Sequence, residues 1–265
     1  MTETTLDTNI TTVAEETSAT TDGETEKTVY ADFRSANRVV PQSEKHKAYG
    51  MLVAAGITLA VLFLSRLIWY LEPALDKVYY GTLSEILYYI IIGVLFTAYI
   101  IALNIFVKKA CGTRIFLPKK EQMTIVRALG VIAVAAVTVF LASASFKFKL
   151  KLQIEMGTGV TMATALTNIA VYFYYALHLW LGLTAAALVQ RAMTILVPAK
   201  YDIPWGAIFL VAVFGLLEFV CELELTDHLY PWMYYLFTLA YAAVFVLTDY
   251  SFHLTYWTSV IILVL

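Results

Sequence analysis

The chain has 265 residues, of which 60% are hydrophobic and only 14% are charged. Soluble domains carry about 25% charged residues, so the composition excludes a soluble globular domain, a nucleic-acid-binding domain and a fully disordered chain. The formal net charge of −2 offers no long-range attraction to DNA, and two distant cysteines cannot form a disulfide framework. The sequence therefore predicts an all-α polytopic transmembrane helical bundle, with the lipid bilayer as a partner and no nucleic acid.

Residues 1–47 precede the first apolar run and differ from the rest of the chain in composition. Residues 1–28 contain 11 threonines and seven carboxylates, with Lys27 as the one basic residue. Such a segment has too little apolar surface to offset the entropy of ordering it. Basic residues then collect just before Ala48. We expect a disordered cytoplasmic tail over residues 1–47, acidic and threonine-rich at first and basic next to the membrane.

Apolar stretches long enough to cross a membrane occur six times in residues 48–265. A helix needs about 20 such residues to cross a hydrocarbon core of about 30 Å. The six spans cover roughly residues 48–71, 84–107, 125–146, 161–190, 204–224 and 229–248. A seventh stretch, residues 251–265, would be about 22 Å long as a helix. It is a short span, a half-inserted helix or an interfacial segment, so the sequence predicts six or seven spans.

The distribution of Lys and Arg predicts the orientation, because these residues favour the cytoplasmic side. Apart from Lys27, five lie on the side opposite the tail, and twelve lie on the tail side: Arg34, Arg38, Lys45, Lys47, Lys108, Lys109, Arg114, Lys119, Lys120, Arg127, Arg191 and Lys200. We therefore expect a multi-pass protein of the cell membrane with a cytoplasmic N-terminus. Six spans would return the C-terminus to the same side.

Three pairs of small residues, each four residues apart, predict close helix packing. They are Gly56 with Ala60, Gly93 with Thr97, and Gly182 with Ala186. Such pairs indicate packed helices and carry no chemistry of their own.

The fourth span carries a polar stripe on an otherwise apolar helix. At 100° per residue, one line along the helix collects Thr164, Asn168, Tyr175, His178, Gly182 and Ala186. Polar side chains avoid hydrocarbon, so this stripe should face the bundle interior or a watery cavity. With Glu218 of the fifth span, Asn168, Tyr175 and His178 are our candidates for a substrate path or interior polar face. Hydrogen bonding between helices is the simpler alternative.

Glu218 begins a second group of candidates. Its depth in the fifth span differs from that of His178 by about 10 Å, which argues against a direct ion pair. Towards the outer surface follow Glu222, Glu224, Asp227 and His228. Carboxylate oxygens suit Ca²⁺ or Mg²⁺, and one imidazole would admit Zn²⁺. This cluster is either a cation-binding site, an attractor for a cationic solute or a solvated loop.

Residues Phe146–Glu155 alternate strictly between apolar and polar side chains, which is the period of a β-strand. We expect either a strand that lies at the membrane interface or pairs with a partner subunit, or a continuation of the third helix with its lysines directed outward.

The sequence contains none of the glycine-rich phosphate loop, HExxH, GxSxG and CxxC motifs. We therefore expect no cofactor and a transport-related or complex-forming membrane subunit, with a partner membrane or peripheral subunit in the second case. One alternative is an intramembrane enzyme, metal-assisted or not, that uses His178, Glu218 or Glu222. Another is a membrane sensor or scaffold.

Overall fold

The computed structural model describes residues 41–67, 82–112, 124–145, 162–197, 203–216 and 231–264. Within these ranges the secondary structure is helical and contains no strand, which confirms the predicted all-α class for this part of the chain. The helices are α1 (Gln42–Leu67), α2 (Thr82–Cys111), α3 (Ile125–Ser145), α4 (Met162–Leu196), α5 (Trp205–Phe209), α6 (Pro231–Leu247) and α7 (Phe252–Val264). Helix α5 runs on into a π-helical turn, Leu210–Phe214, called here the π segment.

Four of these helices, α1 to α4, are long and apolar enough to cross a membrane. The other three are apolar but shorter: Trp205–Phe214, Tyr235–Leu247 and Phe252–Val264. The 13 residues of α7 rise only about 20 Å, which is less than a hydrocarbon core of about 30 Å. The predicted count of six or seven spans is therefore not confirmed by helix length in the described part.

Helix α1 begins at Gln42, so residues 42–47 are helical although their composition placed them in the tail. The carbonyl oxygen of Pro41 accepts hydrogen bonds from the backbone N–H groups of Glu44 and Lys45, both at 3.1 Å. The carboxylate of Glu44 in the first turn also complements the positive end of the helix dipole. Residues 1–40 of the predicted tail lie outside the described residues, as do Phe146–Glu155 and residues 217–230.

Helix α4 is the centre of the bundle. It packs against α1, α2, α5 and α7, and every residue from 181 to 188 is buried. In the apolar 18-residue stretch that identifies α4 as a candidate span, 61% is buried inside the protein. The corresponding share is 11% for α3, which packs against α6 and α7. In this half of α4 the whole circumference is interior, because neighbours lie on all sides. The polar stripe therefore does not distinguish an interior face from a lipid face there.

A tight turn joins α6 to α7. The backbone N–H of Tyr250 donates to the carbonyl of Phe245 at 2.8 Å, and that of Asp249 donates to Val246 at 3.0 Å, which is the Schellman pattern of helix ends. Asp249 and Tyr250 both have left-handed backbones, with φ of 54° and 62°. The buried hydroxyl oxygens of Thr248 and Thr255 lie 2.8 Å apart and tie the two helices together. The hairpin geometry is thus fixed by side chains as well as by the backbone.

The small-residue pair Gly56 and Ala60 does not pack against another helix of the described part. Both residues are exposed, and no atom of the described residues lies within 4 Å of the position that a Cβ at Gly56 would take. Among the described residues the expected close packing is not found for this pair, because its face of α1 points away from α2 and α4.

Candidate site around His178

His178 lies in the middle of the described bundle, with 4% of its surface exposed. Three aromatic rings from different elements surround its imidazole. Ring centroids lie 5.6 Å away for Phe214 of the π segment, 5.8 Å for Tyr174 of α4 and 6.2 Å for Phe96 of α2. We call these four residues the His178 cluster. An ionisable side chain is thus held among rings at the junction of three elements.

Phe214 reaches His178 because the neighbouring position on α4 is glycine. A Cβ at Gly182 would lie 2.7 and 2.8 Å from two ring carbons of Phe214, Cε2 and Cζ, which is closer than packed atoms come. The ring of Phe214 therefore occupies the space that a side chain at position 182 would need. The predicted close approach at Gly182 brings an aromatic ring onto α4, directly beside the histidine.

The π segment sets the direction in which Phe214 points. The N–H of Gly215 donates to the carbonyl of Leu210, five residues earlier, so this turn holds one residue more than an α-helical turn. A Cβ at Gly215 would lie 3.3 Å from that carbonyl oxygen and 3.1 Å from Thr238 Cγ2 of α6. Glycine at 215 therefore lets the wide turn close against α6.

Gln190 fixes the start of α5 to α4. Its Oε1 accepts a hydrogen bond from the backbone N–H of Gly206 at 2.8 Å, and its Nε2 donates to the carbonyl of Ile203 at 3.0 Å. A Cβ at Gly206 would lie 2.6 Å from the carbonyl oxygen of Ala186, so the two backbones almost touch. The N-terminal end of α5 is thus anchored one helical turn before the π segment.

Two other predicted residues of the stripe lie nearer the edge of the core. Asn168 and Tyr175 are both half-buried, and the Tyr175 ring packs against Tyr174 with centroids 5.3 Å apart. Glu218 lies outside the described residues, as does the proposed cation cluster of Glu222, Glu224, Asp227 and His228. The structure therefore joins Tyr175 to His178 through Tyr174 and leaves the role of the carboxylates as a prediction.

Within the described ranges no group of three His, Cys, Asp or Glu residues is placed to hold a metal ion. Asp249 and His253 are not on one helix, because α6 ends at Leu247 and α7 begins at Phe252. A carboxylate oxygen of Asp249 lies 3.9 Å from a guanidinium nitrogen of Arg127 in α3. This contact links α3 to the turn between α6 and α7.

An apolar groove of about 420 Å³ lies between α2 and α4, on the outer side of the bundle. Its lining includes Gly93, Thr97 and Phe173, and the Thr97 hydroxyl donates to the Gly93 carbonyl at 2.8 Å. None of Asn168, Tyr175 and His178 lines it. The groove is therefore separate from the polar stripe and offers hydrocarbon contact rather than polar groups.

Several of these features have weak signals in the sequence. Gly182 and Gly206 each show that a neighbour comes close, but neither reveals which one. Phe214 does not differ in sequence from other apolar residues of a span. The π segment contains no proline or charged residue that would mark it in the sequence. Gln190 is a residue that the sequence could have singled out, because a long amide side chain near the end of a span must find hydrogen-bond partners when it is buried.

The described part defines an all-helical protein with several helices apolar enough to cross a membrane, organised around a central helix with a buried histidine. No protein-family model matches the chain, and neither the curated proteins nor the solved structures contain a significant match.

Proposed function

We propose that this chain is a multi-pass transport component of a cell membrane that moves a small polar solute past His178. The observation that carries the proposal is the burial of an ionisable ring on the central helix against a π turn of its neighbour. Ionisable residues inside membrane helices are costly and usually serve ion or solute pathways. π turns likewise concentrate at functional sites.

The proposed topology has six or seven spans and a cytoplasmic N-terminus. The excess of Lys and Arg on the tail side supports the orientation, and the short apolar helices α5, α6 and α7 supply the further spans or half-spans. Transporters commonly build their sites from interrupted helices of this kind. In this arrangement Asn168 and Tyr175 lie along the route, while Glu218 and the carboxylates after it draw a cationic solute to the outer mouth.

A flux assay tests the proposal. The full chain is reconstituted in liposomes, and proton entry under an imposed potassium potential is followed with a pH-sensitive dye. Re-swelling of the liposomes after osmotic shrinkage in glycerol reports entry of a neutral solute. We expect flux above that of protein-free vesicles and a loss of about tenfold in His178→Gln, the scale expected when a buried polar contact on the route is lost. The exposed His46 supplies the matched control, His46→Gln, which should retain the flux.

A complex-forming subunit is the second candidate, favoured by the close aromatic packing around His178. That candidate predicts no flux of either probe and recovery of a stoichiometric partner subunit when the protein is purified from its own membrane.

A further inference from the structure

We propose that Phe214 is a plug over His178, and that the π segment is the device that withdraws it. This inference rests on the proposed function, since it describes how the same site would open. Phe214 is almost completely buried, its ring lies 5.6 Å from the imidazole, and it fills the space above Gly182. In this conformation, the plug closes the α5 side of the histidine.

A π-helical turn becomes α-helical only when the helix on one side of the turn, here called a flank, rotates about its axis. Each residue turns an α-helix by about 100°, so removing the extra residue from the turn rotates one flank by that amount. The N-terminal flank is held by Gln190 and by the contact between Gly206 and Ala186. The flank that rotates is therefore the one that begins with Phe214.

The rotation places a smaller side chain over Gly182. When the extra residue is absorbed, each residue beyond the turn advances by one position. Val213 then comes over Gly182, and Phe214 turns to the place that Gly215 occupies beside Tyr235 and Thr238. Even a Cβ there would lie 3.1 Å from Thr238 Cγ2 and 3.2 Å from Tyr235 Cε2, so the Phe214 ring enters this place only when α6 moves away from it. The closed conformation is therefore the major one and the open conformation the minor one.

Access to His178 can be measured directly in the full chain. Diethyl pyrocarbonate is a small reagent that modifies neutral imidazole, and peptide mass spectrometry reads each histidine separately. In native membranes we expect His178 to react slowly and the exposed His46 to react fast. Phe214→Ala removes the plug and should raise the rate at His178 about tenfold or more, as expected when an open state of a few per cent becomes the major one.

A one-residue deletion makes the opposite prediction. Deletion of Ala212, an exposed residue of the π segment, yields a plain α-helix that keeps Phe214 over Gly182 and has no extra residue to absorb. Modification of His178 should then fall about tenfold below that of the intact chain. His46 should react at the same rate in all variants, which reports that α1 is intact.

If the deletion variant does not fold, Gly182→Ala is a second test of the plug, because the added methyl must displace the Phe214 ring. Gly93→Ala is its matched control, since there the neighbouring ring is that of the exposed Phe173. We expect faster modification of His178 in Gly182→Ala alone. Unchanged modification in Phe214→Ala, or equal rates in folded deletion and intact chains, overturns the plug. Changed modification without flux in liposomes supports the plug and rejects the transport proposal.

Discussion

Gln190 and Gly206 are joined side chain to backbone across the α4–α5 junction, with Oε1 2.8 Å from the glycine nitrogen. The same side chain donates to Ile203, so one amide satisfies both a donor and an acceptor of the segment that leads into α5. A buried N–H that loses its partner costs about 1–3 kcal/mol. This contact is therefore the anchor against which the π segment is positioned.

Replacing this amide tests the anchor. Gln190→Leu should lower the free energy of unfolding by about 2 kcal/mol, chiefly because the Gly206 N–H is left without its acceptor. The Ile203 carbonyl still accepts from the N–H of Trp205. The expected fall in Tm is about 5 °C, measured by thermal unfolding of the purified protein in detergent. Asn104→Leu is the control, because Asn104 donates to Ile100 of its own helix and should cost much less. Equal shifts for the two variants would contradict the anchor.

The contact of Gly206 with α4 predicts a sharp contrast between two glycines. Gly206→Ala places a methyl 2.6 Å from the Ala186 carbonyl oxygen and 2.6 Å from a ring carbon of Phe245. The backbone oxygen cannot swing away as a side chain can, so we expect a loss of about 2–3 kcal/mol. Gly56→Ala meets no described atom within 4 Å and should gain up to about 1 kcal/mol from helix propensity. Thermal unfolding of both variants measures the difference, and a similar effect of the two substitutions would refute the close approach.

The general character of the bundle was accessible from sequence because the relevant physics is local. Apolar runs of span length predicted helices, and the positions of α2, α3 and α6 agree with those runs to within a few residues. Helix ends were less accessible. Helix α4 extends to Leu196, six residues beyond the predicted span, because Gln190 and Thr194 find their hydrogen-bond partners in the protein and need no water.

The site could be predicted only in part. The burial of His178 follows from its place in an apolar helix, but its neighbours do not, because Phe96 and Phe214 lie 82 residues before and 36 residues after it in the chain. The π segment depends on a hydrogen bond from the N–H of Gly215 to the carbonyl of Leu210. The extra residue in this turn leaves no trace in the hydrophobic pattern of the sequence. Long-range packing and backbone register are thus the parts that composition does not encode locally.

The left-handed backbone of Asp249 predicts a difference between glycine and alanine at that position. Both substitutions remove the contact with Arg127, which is worth at most about 0.5 kcal/mol because the two side chains are 45% and 37% exposed. Only Asp249→Gly relieves the unfavourable φ of 54°. Asp249→Gly should therefore be more stable than Asp249→Ala by about 1 kcal/mol. Urea-induced unfolding compares the two, and equal midpoints would show that the turn adopts another conformation in solution.

Tyr99 forms a hydrogen bond across the contact between α1 and α2. The Thr58 hydroxyl donates to the Ala54 carbonyl at 2.8 Å, so its oxygen remains free to accept the proton of Tyr99, 3.0 Å away. Tyr99→Phe removes this bond but leaves Thr58 satisfied within its own helix. We therefore expect a loss of only about 0.6 kcal/mol, the average for hydrogen bonds between membrane helices.

Combining Thr58→Val with Tyr99→Phe measures the coupling between the two hydroxyls. The double variant should cost no more than Thr58→Val alone, because the bond between the helices is already lost. Tyr49→Phe on the exposed face of α1 is the control and should leave stability unchanged. Additive losses from Tyr99→Phe and Thr58→Val would mean that the two hydroxyls act separately, and that α1 and α2 are held together by apolar packing alone.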